Sequence, residues 1–264
     1  MFELLHSHIP DAVLFSLGPF AIRWYGLLLV LGVAAGYALT RRRWRELGWP
    51  VAQLEGLVVW LVVAGLLGAR LVDVFAYEWW YFRDHLGEIF YLWRGGLAWH
   101  GGLVGGAVAL VWWARRHRWS LFELLDSLAP GLAVGQAVGR WGNYFNQELF
   151  GLPTSLPWGI PIAGAYRPQA YLDAVYFHPV FLYEFLALVL LAGALWRWRA
   201  KLVAGRLFAL YLILSGILRF ALEFLRVDEQ TLIWGARTGF IVALLAIAVG
   251  LAVQWKAPRT KTAP

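Results

Sequence analysis

Leu57-Val58-Val59-Trp60-Leu61-Val62-Val63-Ala64-Gly65-Leu66-Leu67-Gly68-Ala69 is apolar at every position. It is the centre of a longer run, residues 54–77, and a helix needs about 20 such residues to cross a bilayer. The run is continuous rather than alternating, so it reads as a helix and not as a strand of a membrane barrel. Comparable runs lie near residues 18–40, 95–114, 121–139, 179–196, 206–225 and 234–254. The chain is therefore expected to be an all-α, polytopic integral membrane protein with about seven transmembrane helices. No repeat or linker divides it, so residues 1–264 are expected to form a single membrane domain.

Composition agrees. Of 264 residues, 61% are hydrophobic and only 15% are charged, against about a quarter in an ordinary soluble domain. Mean hydropathy is +0.60. The 17 tryptophans suit the boundary between hydrocarbon and headgroups. A net charge of +7 raises nucleic acid as a partner, but the basic residues sit in short clusters between apolar runs, where a lipid bilayer surface explains them. With no cysteine in the chain, disulfides, a thiolate nucleophile and a thiolate metal site are excluded. Any thiol in the chemistry has to come from a substrate. The start of the chain carries Glu3 and Asp11 and no basic segment, so it does not read as a cleaved signal peptide.

The loops orient the spans. Arg41, Arg42, Arg43 and Arg45 follow the first; Arg115, Arg116 and Arg118 follow the third. Arg197, Arg199, Lys201 and Arg206 follow the fifth, and Lys256, Arg259 and Lys261 the seventh. Every second connection is basic and belongs on the cytoplasmic side. The intervening ones are mixed or acidic, as at Asp228 and Glu229. The N-terminus is therefore expected outside and the C-terminus in the cytoplasm. Residues 79–93 are aromatic with interspersed charge and suit an interfacial segment. Residues 144–178, between spans four and five, contain Pro153, Pro157, Pro161 and Pro168. That is too much proline for one helix, and a folded outer cap is expected.

Against this background the polar residues stand out. Gly139-Arg140-Trp141-Gly142-Asn143-Tyr144-Phe145-Asn146-Gln147-Glu148-Leu149-Phe150-Gly151 sets an arginine, two asparagines and a carboxylate at the end of an apolar run. Polar groups at that depth face a cavity or a partner. Arg23, Arg70, Arg140, Arg219 and Arg237 all lie in or beside spans. A guanidinium stays charged and its planar fork suits a phosphate. Arg23 and Arg237, near span ends, are more simply snorkelling residues. Arg219, Glu223 and Arg226 share one helix face at i, i+4 and i+7, and Arg219–Glu223 is also readable as an internal ion pair. Trp99-His100-Gly101-Gly102 opens the third span with the one nearby group able to accept a proton near neutral pH. The alternative for His100 is a hydrogen-bonded structural residue. Tyr25, Asp126 and Glu184 are secondary candidates, Tyr25 as an interfacial anchor and Asp126 as a buried partner for an arginine. His178-Pro179 reads as a helix entry.

Arg23-Trp24-Tyr25-Gly26, His100-Gly101-Gly102, the 139–151 segment, His178-Pro179 with Leu182-Tyr183-Glu184, and Arg219-Phe220 with Glu223-Phe224 and Arg226 occur in that order. Together they resemble the prolipoprotein diacylglyceryl transferase family of the bacterial cytoplasmic (inner) membrane, over nearly the whole chain. The resemblance implies transfer of a diacylglyceryl group from phosphatidylglycerol to the lipobox cysteine of a prolipoprotein signal peptide, with a thioether formed and glycerol phosphate released. It implies that Arg140 and Arg219 hold the phosphate, that Asn143, Asn146, Glu148 and Gly151 shape the same wall, and that His100 takes the thiol proton. Tyr25 and Glu223 are implied as supporting residues. Neither a metal nor a cofactor is expected. The chain departs from the family pattern at Ser215, Phe181 and Asp73. Two other readings stay open: another enzyme of anionic phospholipid, or a transporter. The first typically needs an aspartate cluster, and Asp126 and Asp73 are the aspartates within the runs. The second often shows paired repeats.

Overall fold

Apolar runs of this length have no stable alternative to the helix in lipid, because each backbone N–H and C=O must be satisfied within its own segment. A computed structural model describes residues 2–18, 20–91, 95–230, 232–233 and 235–258. In chain order its elements are α1 (Phe2–Ser7), β1 (Val13–Leu17), β2 (Phe20–Arg23), α2 (Trp24–Glu46), α3 (Val51–Val72), α4 (Trp79–Phe82), α5 (Trp99–Arg116) and α6 (Leu121–Phe145). There follow β3 (Ile160–Pro161), β4 (Tyr176–Phe177), α7 (Val180–Trp198), α8 (Arg206–Glu223), β5 (Leu232–Ile233), β6 (Ala236–Arg237) and α9 (Thr238–Lys256). Met1, Pro19, Trp93, Trp234, Arg259 and Lys261, on which the sequence reading drew, lie outside the described residues.

A helix stands at each expected run, and the chain is a mostly helical, polytopic membrane protein. Among the described residues, five helices are long and apolar enough to cross a bilayer: α2, α3 with its π-helical extension to Tyr77, α6, α7 and α9. The other two long helices, α5 and α8, have 18 residues each and carry charge within them: Arg115 and Arg116 in α5, and Arg206, Arg219 and Glu223 in α8.

Several boundaries differ from the sequence expectation. The first helix begins at Trp24 rather than residue 18, because β2 pairs with β1 in an antiparallel hairpin turned at Gly18, whose φ is +57°. The third begins at Trp99 rather than residue 95; the carbonyls of Gly95 and Gly96 are held by Arg70 instead of entering a helix. The fourth runs on to Phe145, so the Arg140 and Asn143 side chains project from a helix. The last starts at Thr238, after the short β5–β6 ladder.

The chain divides into two compact units, residues 1–40 with 125–264, and residues 41–124. In the second, α3 and α5 meet through small residues. A Cβ at Gly68 would strike the Gly101 carbonyl, and one at Gly105 the Ala64 carbonyl. Helices packed in lipid approach this closely only where side chains are absent. Arg70, at the end of α3, donates to the carbonyls of Glu88, Ile89, Gly95 and Gly96 and pairs with Asp73 at 3.3 Å. It ties Glu88 and Ile89, and Gly95 and Gly96, to the end of α3.

In the first unit, α2 and α6 cross at Gly36 and Gly131, where an added methyl on either would meet the other's carbonyl. Ala129, Ala133 and Ala137 of α6 pack against Leu188, Leu191 and Leu195 of α7 and Leu207 of α8. Residues 146–179 form a folded segment with its own core. Phe150, Ile160, Ile162 and Phe177 are buried there with Leu5 of α1 and Phe181 of α7. Asp126, expected as a partner for an arginine, accepts the backbone amides of Gly205 and Phe208 at 2.8 Å each, capping α8 from α6. Asp126→Ala is expected to cost about 1–2 kcal/mol, seen as a lower thermal midpoint of the detergent-solubilised protein, with Asp126→Asn retaining most of the stability. An unchanged midpoint for the alanine variant would remove the capping role.

Candidate functional site

α6 projects Gln136, Arg140 and Asn143 from one face, at i, i+4 and i+7. α7 contributes Glu184 one turn after its start, and α8 contributes Tyr211, Arg219 and Glu223. All lie in the first unit.

Their centre is Glu184, whose side chain is 2% exposed. One carboxylate oxygen meets Arg140 Nη2 at 2.9 Å and the other meets Arg219 Nη1 at 3.2 Å. A buried carboxylate stays ionised only if paired, and here each oxygen has its own guanidinium. Arg219 Nη2 also reaches Glu223 Oε2 at 3.5 Å, and Arg226 Nη1 reaches the same oxygen at 3.3 Å. Arg226 then grips Asp228 with two bonds, Nε to Oδ1 at 2.8 Å and Nη2 to Oδ2 at 2.6 Å. Positive and negative groups alternate from Arg140 to Asp228. Burial works against the Arg226 charge, but its bonds to Asp228, with Glu223 and Glu184 beyond, hold the guanidinium above its ordinary range.

A branch leaves Arg140 on the other side. Its Nη1 donates to Asn143 Oδ1 at 3.2 Å, and Asn143 Nδ2 donates to Glu148 Oε2 at 3.0 Å. Asn146 Nδ2 donates to the second Glu148 oxygen at 3.2 Å. The tight turn from Asn146 to Leu149, with Gln147 and Leu149 at positive φ, brings Glu148 back under the helix end. Gly151 pairs with Arg226 across an isolated β-bridge; a Cβ there would meet the Leu225 carbonyl, Val180 and His178. Tyr25 lays its ring against Gly142, where any side chain would collide with it.

Eight of the nine residues singled out in the sequence thus fall in one unit: Tyr25, Arg140, Asn143, Asn146, Glu148, Gly151, Arg219 and Glu223. His100 belongs to the other, at the start of α5, with its ring 3.8 Å from that of Trp99. Arg219–Glu223 is an ion pair, as its spacing allowed, but the shorter Arg219 contact is to Glu184. Arg70 is a loop-holding residue with its donors engaged. Arg237 donates to the Glu223 and Arg226 carbonyls.

Two residues matter more here than their sequence context suggests. Glu184 is a secondary candidate in the sequence, although a carboxylate one turn into an apolar helix is itself a signal. Asp228 stands in an acidic loop, and its role depends on contacts no spacing announces: it also accepts the Leu149 amide at 3.0 Å. The three departures from the family pattern have local roles. Ser215 bonds back to the Tyr211 carbonyl, Phe181 is fully buried against Trp141 and Tyr144, and Asp73 pairs with Arg70.

The Arg140 and Arg219 side chains each keep 21% of their surface exposed while Glu184 between them is sealed. Arg140 Nε finds no acceptor among the described residues. The two guanidiniums are thus held on one interior carboxylate, with part of each side chain open to an anion that carries several acceptor oxygens.

The sequence profile of the prolipoprotein diacylglyceryl transferase family matches residues 12–256. A phosphatidylglycerol–prolipoprotein diacylglyceryl transferase of Synechococcus elongatus is 42% identical over 254 residues, covering 93% of this chain and 87% of that protein. One from Synechocystis is 39% identical over 254 residues, with 93% and 89% covered. The second such enzyme of Streptomyces coelicolor is 41% identical over 256 residues, with 93% and 80% covered.

Removing the shared carboxylate leaves two neighbouring guanidiniums without their main partner. Glu184→Ala is expected to cost about 3–5 kcal/mol, read as a large fall in the thermal midpoint, while Glu184→Gln, which keeps an acceptor oxygen, costs less. Equal midpoints for wild type and Glu184→Ala would show that the bridge does not organise the site.

Proposed function

The chain belongs to the prolipoprotein diacylglyceryl transferase family, and from that premise we propose that it moves the sn-1,2-diacylglyceryl group of phosphatidylglycerol onto the lipobox cysteine of prolipoproteins, the first step of lipoprotein maturation. The observation that carries the proposal is the Glu184 bridge, which holds Arg140 and Arg219 side by side with part of each side chain exposed.

The groups suit the reaction. Arg140 and Arg219, the two partly exposed guanidiniums of the alternating chain, offer donors to the oxygens of a phosphodiester monoanion. The cysteine sulfur attacks the glycerol carbon that carries the phosphate; the carbon–sulfur bond forms as the carbon–oxygen bond breaks. The electron pair leaves with the oxygen as glycerol phosphate, whose charge grows as it departs. Guanidiniums aimed at that oxygen stabilise the transition state more than the ground state. Asn143, Asn146 and Glu148 form the adjoining polar wall, with Gly151 packed closely behind it and Tyr25 against Gly142 on the α2 side.

The substrate thiol, with an ordinary pKa near 8.5, must lose its proton to attack well. His100 is the proposed acceptor, and the arginines favour the resulting thiolate. Attack at carbon gives a thioether; attack at phosphorus would give a phosphatidyl group instead. We place the enzyme in the bacterial cytoplasmic membrane as a single membrane domain of seven crossings, N-terminus outside, with residues 144–178 as an extracytoplasmic cap. The alternating basic loops support that topology.

Incubating the purified protein with phosphatidylglycerol and a lipobox peptide tests the reaction. Mass spectrometry is expected to find diacylglycerol on the peptide cysteine and released glycerol phosphate; an unmodified peptide beside a folded, lipid-binding protein would favour a transporter or another lipid enzyme. Arg140→Ala is expected to abolish transfer while the protein stays folded in membranes. His100→Gln is expected to slow transfer by at least about 100-fold, and wild-type rates in that variant would assign thiol activation elsewhere.

A further inference from the structure

A groove of about 630 Å³ runs along the outer face of α5, lined by Ala107, Val108, Val111, Trp112, Arg115 and Arg116. It follows from helix geometry. Ala107, Val111 and Arg115 form one i, i+4, i+8 ridge, Val108, Trp112 and Arg116 the next, and the groove is the channel between them. Leu103 and Val104, both 62% exposed, extend the ridges by one turn. From residue 103 to residue 115 the channel is about 18 Å long at 1.5 Å per residue. Its wall is braced by Trp112, whose ring lies 4.9 Å from that of Trp60 on α3. At the far end neither the Arg115 nor the Arg116 side chain makes a hydrogen bond or ion pair among the described residues.

The geometry points to a binding site for one anionic phospholipid, with an acyl chain in the channel and the phosphate on Arg115 and Arg116. The charge pattern selects this occupant: the channel is apolar along its length and cationic only at its mouth. A second copy of the chain, itself carrying a net charge of +7, would bring like charge to that mouth. A zwitterionic lipid fits the channel but leaves the two guanidiniums less well matched. The site is built wholly from residues of the second unit and does not depend on the function proposed above.

The absence of cysteine from the chain allows a clean test. Val104→Cys, carrying a fluorophore, is reconstituted in phosphatidylcholine vesicles containing a small fraction of brominated-chain phosphatidylserine. Quenching is expected to report local enrichment on the order of tenfold over the bulk fraction, since interfacial arginines attract anionic lipids. Brominated phosphatidylcholine should quench only in proportion to its bulk fraction. Arg115→Gln with Arg116→Gln should abolish the excess, as should salt near 1 M, where the screening length is about 3 Å. In an Arg140→Ala background the excess should persist, which separates this site from the candidate catalytic one. Bulk-fraction quenching by both lipids would reduce the groove to ordinary boundary contact. An excess that survives the double substitution, or protection that grows with protein concentration, would equally overturn the proposal.

Discussion

An ionised carboxylate inside an apolar helix bundle is tolerable only when both of its oxygens are paired, and Glu184 imposes that condition on the first unit. Its two oxygens require two guanidiniums, and these come from two other helices, α6 and α8. Arg219 has a second fork to satisfy and takes Glu223, which must then be shared with Arg226. Arg226 needs Asp228, and Asp228 reaches back to the Leu149 amide, fastening the end of the 139–151 segment. Gly239 follows from the same constraint, since any side chain there would occupy the space of the Glu223 carboxylate. One buried charge thus accounts for the placement of much of the polar side of this unit.

Arg70 and Arg140 show how similar residues in similar helices come to differ. Both lie near the ends of apolar helices. The Arg70 donors are spent on four backbone carbonyls and Asp73, with the Phe82 ring beneath the guanidinium at 4.8 Å. Nothing remains for a ligand, and its contribution is to order a connection. Arg140 meets one carboxylate and one amide and keeps an unpaired Nε. Donor saturation and exposure, 8% for the Arg70 side chain against 21% for Arg140, separate the structural guanidinium from the one suited to an anion.

Small residues set how near the helices come. At Gly68 with Gly101, and at Gly36 with Gly131, backbone meets backbone with no room for a methyl. In lipid, where apolar side chains gain little by leaving one apolar surface for another, such close approach supplies much of the dispersion energy of association. Gly101 of the His100-Gly101-Gly102 motif has this packing role whatever chemistry His100 performs.

The sequence by itself determined the helical architecture and the approximate position of each long helix, because hydropathy over about 20 residues is a local property and lipid leaves no competing backbone solution. It also marked Arg140, Asn143, Glu148 and Arg219, since charge within an apolar run stands out against its surroundings. The helix starts at Trp24, Trp99 and Thr238 were not legible: apolar residues there enter short hairpins at the first and last, and Arg70 holds the Gly95 and Gly96 carbonyls, 25 and 26 residues along the chain, at the second. Nor could spacing assign Asp126 to the amides of α8, or Asp228 to Arg226 and Leu149. Only the tertiary structure decided that Glu184 is the centre and that Arg140 and Arg219 stand side by side. Pairing across three helices depends on where their faces meet, and the order of residues along any one of them does not specify it.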